Sequence, residues 1–161
     1  MLDSAIAINE FQLAGFETIV ADLDEQALFT PGLGHGHPPA WIMGHLAVAG
    51  ESGQRILGGV ITHADWGPLF GPGSTDQVAP QESLTKAVLS AAVVDAYRGL
   101  RELAARATPE SLLEPIRFPL FSETPIKTKS DCVTLLLTNH FGFHLAQLSS
   151  CRRTAGHAPL F

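Results

Sequence analysis

The chain has few charged residues, few cysteines and no basic cluster, and each of these features excludes some classes of protein. Only 16% of its 161 residues are charged and 45% are hydrophobic, so a folded core is expected and intrinsic disorder is not. The formal net charge of −6 argues against nucleic acid as a partner, because its phosphates would repel this chain. The length predicts a single domain spanning residues 1–161.

Signals for membrane insertion and secretion are also missing from the sequence. No run of about 18 apolar residues occurs, so we expect neither a transmembrane span nor a membrane partner. The opening residues Met1-Leu2-Asp3 lack the basic start and the apolar stretch of a signal peptide. The sequence therefore predicts a cytoplasmic protein.

The two cysteines, Cys132 and Cys151, are too few for a disulfide framework. Both fall in one predicted helix about five turns apart, roughly 28 Å, so they cannot bridge within that helix. We interpret both as buried or unreactive thiols in a reducing compartment. A reactive Cys151 is the alternative, because Arg152 and Arg153 follow it and a nearby cation lowers the pKa of a thiol.

Apolar residues recur at three-and-four spacing along much of the chain, which is typical of amphipathic helices. Four long helices without a clear strand pattern predict an all-α fold, a four-helix bundle. The predicted helices run from about Ser4 to Leu28, from Pro38-Pro39 to near Gly58-Gly59, from after Pro80 to beyond Leu103, and from about Thr128 to Thr154.

Capping residues mark where several of these helices begin and end. Thr128 followed by Asp131 resembles a capping box at the start of the fourth helix. Gly156 is the predicted C-terminal cap of the same helix. Thr108 is the predicted cap of a short extra turn after the third helix.

Two connections between the predicted helices are long. Ala64–Ala79, between the second and third helices, is rich in Pro and Gly, and Glu114–Lys127, between the third and fourth, holds three prolines. Long connections in a compact domain are often functional. We expect Ala64–Ala79 to shape a substrate pocket, and Glu114–Lys127 to be extended and to pack over the bundle.

The segment Asn139–His144 carries the clearest sign of chemistry. His140 and His144 are four residues apart in a predicted helix, so they share one face and can reach one metal ion. No glutamate follows His140, so the pair lacks the base of the H-E-x-x-H metalloprotease motif. His45, in the second predicted helix, is the best third ligand. Three histidine ligands leave coordination positions of the metal ion open, as in catalytic metal sites.

Structural roles for the same histidines are also compatible with the sequence. His45 alone could be a core histidine bonded to a backbone carbonyl. The pair His140 and His144 could be a polar helix face or a bonded pair in the core. Gln147 lies on roughly the same face and could orient a ligand histidine or a metal-bound water, or could be a packing amide.

Other polar residues are weaker candidates. His35 and His37 have a spacing that could bind metal in an extended segment, but their Gly/Pro surroundings favour a surface loop. Four further residues are expected to be structural, capping or solvent-facing: Glu51, His63, Asn139 and His157.

The order of these motifs resembles that of the DinB-like superfamily of bacterial four-helix bundles, which includes the YfiT-like proteins. Its members carry one metal-binding histidine early in the second helix and an H-x-x-x-H pair in the fourth. In this chain those positions fall on His45, within Pro38–Leu46, and on His140 and His144. The resemblance covers nearly the whole chain.

The resemblance implies a divalent-metal-dependent enzyme that acts on a small molecule. Characterised relatives include thiol-dependent S-transferases and a mycothiol-dependent maleylpyruvate isomerase, so a transferase is expected first and a hydrolase second. The implied cofactors are a divalent ion, Zn or Ni before Fe or Mn, and a low-molecular-weight thiol. The alternative is a non-enzymatic, stress-related binding bundle with a structural or vestigial site. The long, apolar first helix favours a homodimer in either case.

Overall fold

The computed structural model describes residues 1–75 and 77–160, and every long regular element among them is helical. Within these residues the only β-type pairing is an isolated bridge between Pro115 and Thr128, so the all-α expectation is confirmed. No helix in the described ranges is long and apolar enough to cross a membrane. The α-helices are α1 (Asp3–Ala21), α2 (Pro39–Ile56), α3 (Gly67–Phe70), α4 (Lys86–Arg106), α5 (Pro109–Leu112), α6 (Lys129–Leu135) and α7 (Phe141–Thr154).

Shorter elements complete the chain. The segment Leu136–His140 is a π-helix that joins α6 to α7 without a break. Single 3-10 turns lie at Glu25–Ala27, Ala64–Trp66 and Pro119–Phe121. The connection that the sequence presents as a plain loop, Ala64–Ala79, therefore contains a 3-10 turn and the short helix α3.

Helix α1 is shorter than the sequence predicts, because it ends at Ala21. Two contacts with distant residues hold the chain where it leaves the helix. Arg152 Nε donates to the Asp22 carboxylate at 2.6 Å, and Lys86 Nζ donates to a backbone carbonyl just beyond α1 at 2.6 Å. A cation at the carbonyl end of a helix is favourable. The end of α1 is thus set by tertiary contacts that its own sequence does not contain.

Other helix boundaries agree with the capping residues in the sequence. Helix α2 begins at Pro39, and the side chain of Thr108 caps α5. Thr128 and Asp131 form a complete capping box at the start of α6, each side chain accepting from the other's backbone N–H. Gly156, just beyond α7, has φ +95°, a conformation that favours glycine.

The fourth long helix is continuous but not uniform, which corrects the regular helix expected from Thr128 to Thr154. Its middle part, Leu136–His140, has π geometry. A π turn places one more residue in the turn than an α-helix does, so it rotates the side chains before it relative to those after it. His140 is the last residue of this segment and His144 lies in the first turn of α7. The distortion therefore lies at the histidine pair.

Helix α2 forms the centre of the packing. It contacts α4 and α7, and α1 contacts both of the same helices. Beside α2, Phe141 meets Tyr97 edge to face with ring centroids 4.6 Å apart, and Phe16 lies 6.2 Å from Phe141. Aromatic pairs of this kind add to the stability that their burial provides. His45, in the first half of α2, is consequently placed among packed helices.

The buried face of α1 should contribute much of the stability of this packing. Phe16 is fully buried, whereas Phe11 on the same helix is 75% exposed. We expect Phe16→Ala to lower the free energy of unfolding by about 3–5 kcal/mol and the matched variant Phe11→Ala to change it by less than about 0.5 kcal/mol. Urea unfolding followed by circular dichroism, at protein concentrations low enough for the chain to be monomeric, measures both. Equal losses in the two variants would mean that α1 packs through another face.

Candidate metal centre

Three histidines from two helices meet at one point in the core. His45 comes from α2, His140 from the end of the π segment and His144 from α7. One ring nitrogen from each lies within 4.8 Å of the other two. His45 and His144 are buried, and His140 is partly exposed. The structure therefore brings together the three residues that the sequence proposes as ligands, in a cluster compatible with a metal site.

Hydrogen bonds fix two of the three rings by their Nδ1 atoms. His45 Nδ1 lies 2.6 Å from the carbonyl oxygen of Phe70, and His144 Nδ1 lies 2.8 Å from Oε1 of Gln147. Both partners are acceptors in this assignment, so each Nδ1 carries the proton and each Nε2 keeps its lone pair. Metal-binding histidines are usually held in this way. For His45, the sequence left two roles open, a core histidine bonded to a backbone carbonyl and a metal ligand. The structure is compatible with both at once, because the ring is bonded to a carbonyl through Nδ1 and keeps Nε2 free.

A glycine makes the first of these hydrogen bonds possible. A Cβ atom on Gly44 would lie 2.5 Å from the ring of Phe70, so the ring packs directly on the backbone of α2 at this point. Because Gly44 precedes His45, the same close approach brings the Phe70 carbonyl to the His45 ring. The room that Gly44 leaves is filled by the short helix α3.

His140 is held differently from the other two histidines. Its Nε2 lies 3.1 Å from Nε2 of His45, and its buried Nδ1 has no hydrogen-bond partner among the described residues. Two nitrogens bound at about 2.0–2.1 Å to one ion, with bond angles of about 90–110°, are about 2.8–3.4 Å apart. The separation thus fits two ligands of one ion, and the protein alone leaves His140 with an unsatisfied polar atom.

Burial keeps the cluster neutral near pH 7. Desolvation, with the neighbouring histidines His144 and His45 adding to it, lowers the pKa of His140 to about 3. Desolvation and then His45 lower the pKa of His144 to about 4, against the opposing effect of the hydrogen bond that His144 donates to Gln147. Desolvation also lowers the pKa of His45. Neutral imidazoles are the form that binds metal, so the lone pairs are available throughout the physiological range.

A layer of aromatic rings covers one side of His45, and sequence reasoning missed it. Trp41 stacks on His45 with centroids 4.7 Å apart, and His37 stacks on the other face of Trp41 at 4.4 Å. Trp41 Nε1 donates to Ser74 Oγ at 3.1 Å. The loop that holds His35 and His37 is therefore half-buried against the site and not simply a surface loop. The four-residue steps from His37 through Trp41 to His45 are the signal that could have revealed it.

An apolar cavity of about 140 Å³ opens beside His45 and His140. His45 and His140 line it, together with side chains of α2 and α6. Phe118, Leu120 and Phe121 close it from the long connection Glu114–Lys127. This connection packs over the helices as the sequence predicts.

The connection expected to form the pocket contributes less than predicted. Of the described residues of Ala64–Ala79, Pro72 alone lines this cavity. Its main contribution is Phe70, whose carbonyl holds His45. The prediction that Ala64–Ala79 shapes the pocket is therefore wrong in emphasis, because α3 folds against α2 and leaves the cavity to the other connection.

The weaker candidates have structural places. Glu51 is buried, and its carboxylate accepts from the backbone N–H groups of Thr62 and His63 and from His63 Nδ1 at 2.6 Å. Glu51 therefore holds the segment that follows α2, at Thr62 and His63, against the helix. Asn139 is exposed, and His157 is 38% exposed beyond α7; neither belongs to the cluster.

Both cysteines are free and buried, as the sequence predicts. Burial raises the pKa of Cys132 to about 11 and also raises the pKa of Cys151. The neighbouring cation Arg152 binds Asp22 instead. The alternative of a reactive, low-pKa Cys151 is therefore wrong.

The neutral cluster makes the stability of the metal-free protein depend on pH. The unfolded chain binds protons at its histidines below about pH 6.5, whereas folded His140 stays neutral until about pH 3. Stability is therefore lost as the pH falls through this window. A chelator is kept present throughout. When the pH is lowered from 7 to 5, we expect the free energy of unfolding of the wild type to fall by about 1–2 kcal/mol more than that of His140→Leu.

Urea unfolding at the two pH values measures this difference. Asn139→Leu, at the exposed and non-titrating residue before His140, is the matched control and should keep the pH dependence of the wild type. If His140→Leu and the wild type lose the same free energy, His140 is not buried as a neutral ring.

Comparison with known proteins identifies the family of the chain. The sequence pattern of the DinB superfamily matches residues 9–148, a range that includes all three histidines and the π segment. None of the curated proteins compared with the chain gives a significant match. Because the family match covers most of the sequence, the chain belongs to the DinB superfamily.

Proposed function

We propose that this protein is a divalent-metal-dependent enzyme in which His45, His140 and His144 bind the ion. The supporting observation is the open side of the cluster. Among residues 1–75 and 77–160, no fourth His, Cys, Asp or Glu joins the three histidines, and a cavity begins at His45 and His140. A structural site would be closed by a fourth protein ligand. Three ligands beside a cavity favour catalysis.

The three imidazoles suit zinc or nickel best and also accept iron or manganese. When bound, such an ion lowers the pKa of a coordinated thiol or water and so supplies a nucleophile near neutral pH. The chain's own residues hold the site in place. Phe70 and Gln147 orient two of the rings by hydrogen bonds, and Trp41 stacks on His45.

The preferred reaction is a transfer to or from a low-molecular-weight thiol, with hydrolysis second. The cavity is lined by aliphatic and aromatic side chains together with Cys132, Ser52 and the two histidines. Such a lining keeps bulk water away from the reacting atoms and so suppresses hydrolysis as a competing reaction. The family assignment supports the same choice by analogy only.

Two further features of the proposal concern architecture. We take the four long helical stretches to be the four-helix bundle of the family. We also propose a homodimer that covers the exposed apolar residues of α1, where Ile8 is 46% and Phe11 75% exposed. Neither feature is required for metal binding.

Removal of one ligand tests the metal centre. We expect the wild type to bind about one divalent ion per chain and His144→Ala to lose most of it while its helical circular dichroism is retained. His157→Ala is the matched control and should keep the ion. Metal content by mass spectrometry after dialysis, followed by assays of thiol consumption with an electrophile, measures both steps. Metal retained by His144→Ala would contradict the three-histidine site.

The hydrogen bond from His45 to Phe70 can be tested without touching a ligand. Gly44→Ala places a methyl group where the Phe70 ring lies, so the carbonyl should move away from His45. We expect the dissociation constant for zinc to rise about 10- to 100-fold. Competition with a chromophoric chelator measures it.

Gly15→Ala in α1 is the matched control, because its new Cβ would meet only Leu145 at 3.8 Å. This variant should bind zinc as the wild type does. Unchanged zinc affinity in a folded Gly44→Ala protein would show that the Phe70 carbonyl does not position His45.

A further inference from the structure

A second depression lies next to the apolar cavity. It is a groove of about 520 Å³ lined from α2 and from the connection over the helices. Ser52, Ile56 and Phe118 line both the groove and the cavity that reaches His45 and His140. The two spaces are therefore adjacent.

The groove differs from the cavity in its charge. Arg55, Arg117 and Lys129 line it, and no carboxylate does among the described residues. Three of the protein's ten basic residues thus lie along one groove of a chain whose net charge is −6. A local excess of positive charge against an acidic background indicates a site for an anion.

Within the described part of the chain, two of the three basic residues that line the groove have no acidic partner. Lys129 forms a 2.8 Å ion pair with Glu114, so its positive charge is partly neutralised. Arg55 and Arg117 have no carboxylate partner within residues 1–75 and 77–160. By contrast, Arg106 and Arg152 are each paired with an acidic residue. The two guanidinium groups of the groove keep their donors available for a ligand.

We propose that the natural substrate is a small anionic amphiphile whose carboxylate is held by Arg55 and Arg117. A planar guanidinium binds a carboxylate through two parallel hydrogen bonds, which suits this role better than a lysine would. The apolar part of the molecule occupies the cavity behind Phe118, and its far end reaches His45 and His140. Only the reaction at that far end rests on the proposed metal chemistry; the binding of the anion and of the apolar chain does not.

The size of the cavity limits the apolar part. A cavity of about 140 Å³ has room for a short apolar chain. A chain of a few carbons that ends in a carboxylate is therefore a suitable probe.

Binding of simple probes to the full-length, metal-free protein tests the proposal. A chelator is kept present so that a carboxylate cannot be held by a metal ion. Butanoate, hexanoate and octanoate are titrated by calorimetry or ligand-observed NMR, with hexanol and hexylamine as neutral and cationic analogues of the same length. We expect hexanoate to bind about tenfold or more tightly than hexanol, with hexylamine the weakest.

Substitution of the arginines identifies the anion site. The double variant Arg55→Gln/Arg117→Gln should bind hexanoate and hexanol within about threefold of each other, with hexanol affinity unchanged. Arg153→Gln, on α7 and outside the groove, is the matched control and should keep the preference. Equal binding of hexanoate and hexanol to the wild type, no binding of any probe, or a preference that survives the double variant would each overturn the proposal.

Metal content measured on the same preparations separates the two hypotheses. A protein that prefers hexanoate but binds no divalent ion would keep the anion site and refute the metal enzyme. A protein that binds the ion but shows no carboxylate preference would refute the anion site and keep the metal enzyme.

Discussion

The hydrogen bond from His45 to the carbonyl of Phe70 is the interaction on which the site depends. It selects the ring nitrogen that carries the proton, and so directs the Nε2 lone pair towards His140. It exists only because Gly44 lets α3 lie directly on α2. The Pro- and Gly-rich connection after α2 therefore serves the site through one backbone oxygen, while its side chains hardly reach the cavity.

The π segment imposes the second constraint. His140 and His144 would share a face in any regular helix, but one histidine here ends a π turn and the other lies in the first α-helical turn. π turns are rare and are found often at functional sites. Along the described part of the fourth helix, the distortion lies at the histidines and not in the neighbouring α6, where the capping box holds regular geometry. Its position indicates that the helix is shaped around the site.

Local patterns in the sequence were sufficient to predict those features that depend on residues close together in the chain. The His140 and His144 spacing, the Thr128 and Asp131 capping box and the apolar spacing of the helices all involve residues within one or two turns. The end of α1 could not be predicted in this way, because Arg152 reaches Asp22 across 130 positions. Such a contact appears only once the helices are packed.

Several departures from ordinary folding rules coincide at one place. Three neutral histidines are brought together in the core, one of them has an unsatisfied Nδ1, and the helix beneath them changes its geometry. Each departure costs stability, and a sequence selected for stability alone would fill this space with aliphatic side chains. Natural proteins concentrate such local conflicts at functional sites. A ligand that binds through the nitrogens would offset this cost, and three neutral imidazoles with no carboxylate beside them in the described part of the chain are compatible with a bound cation.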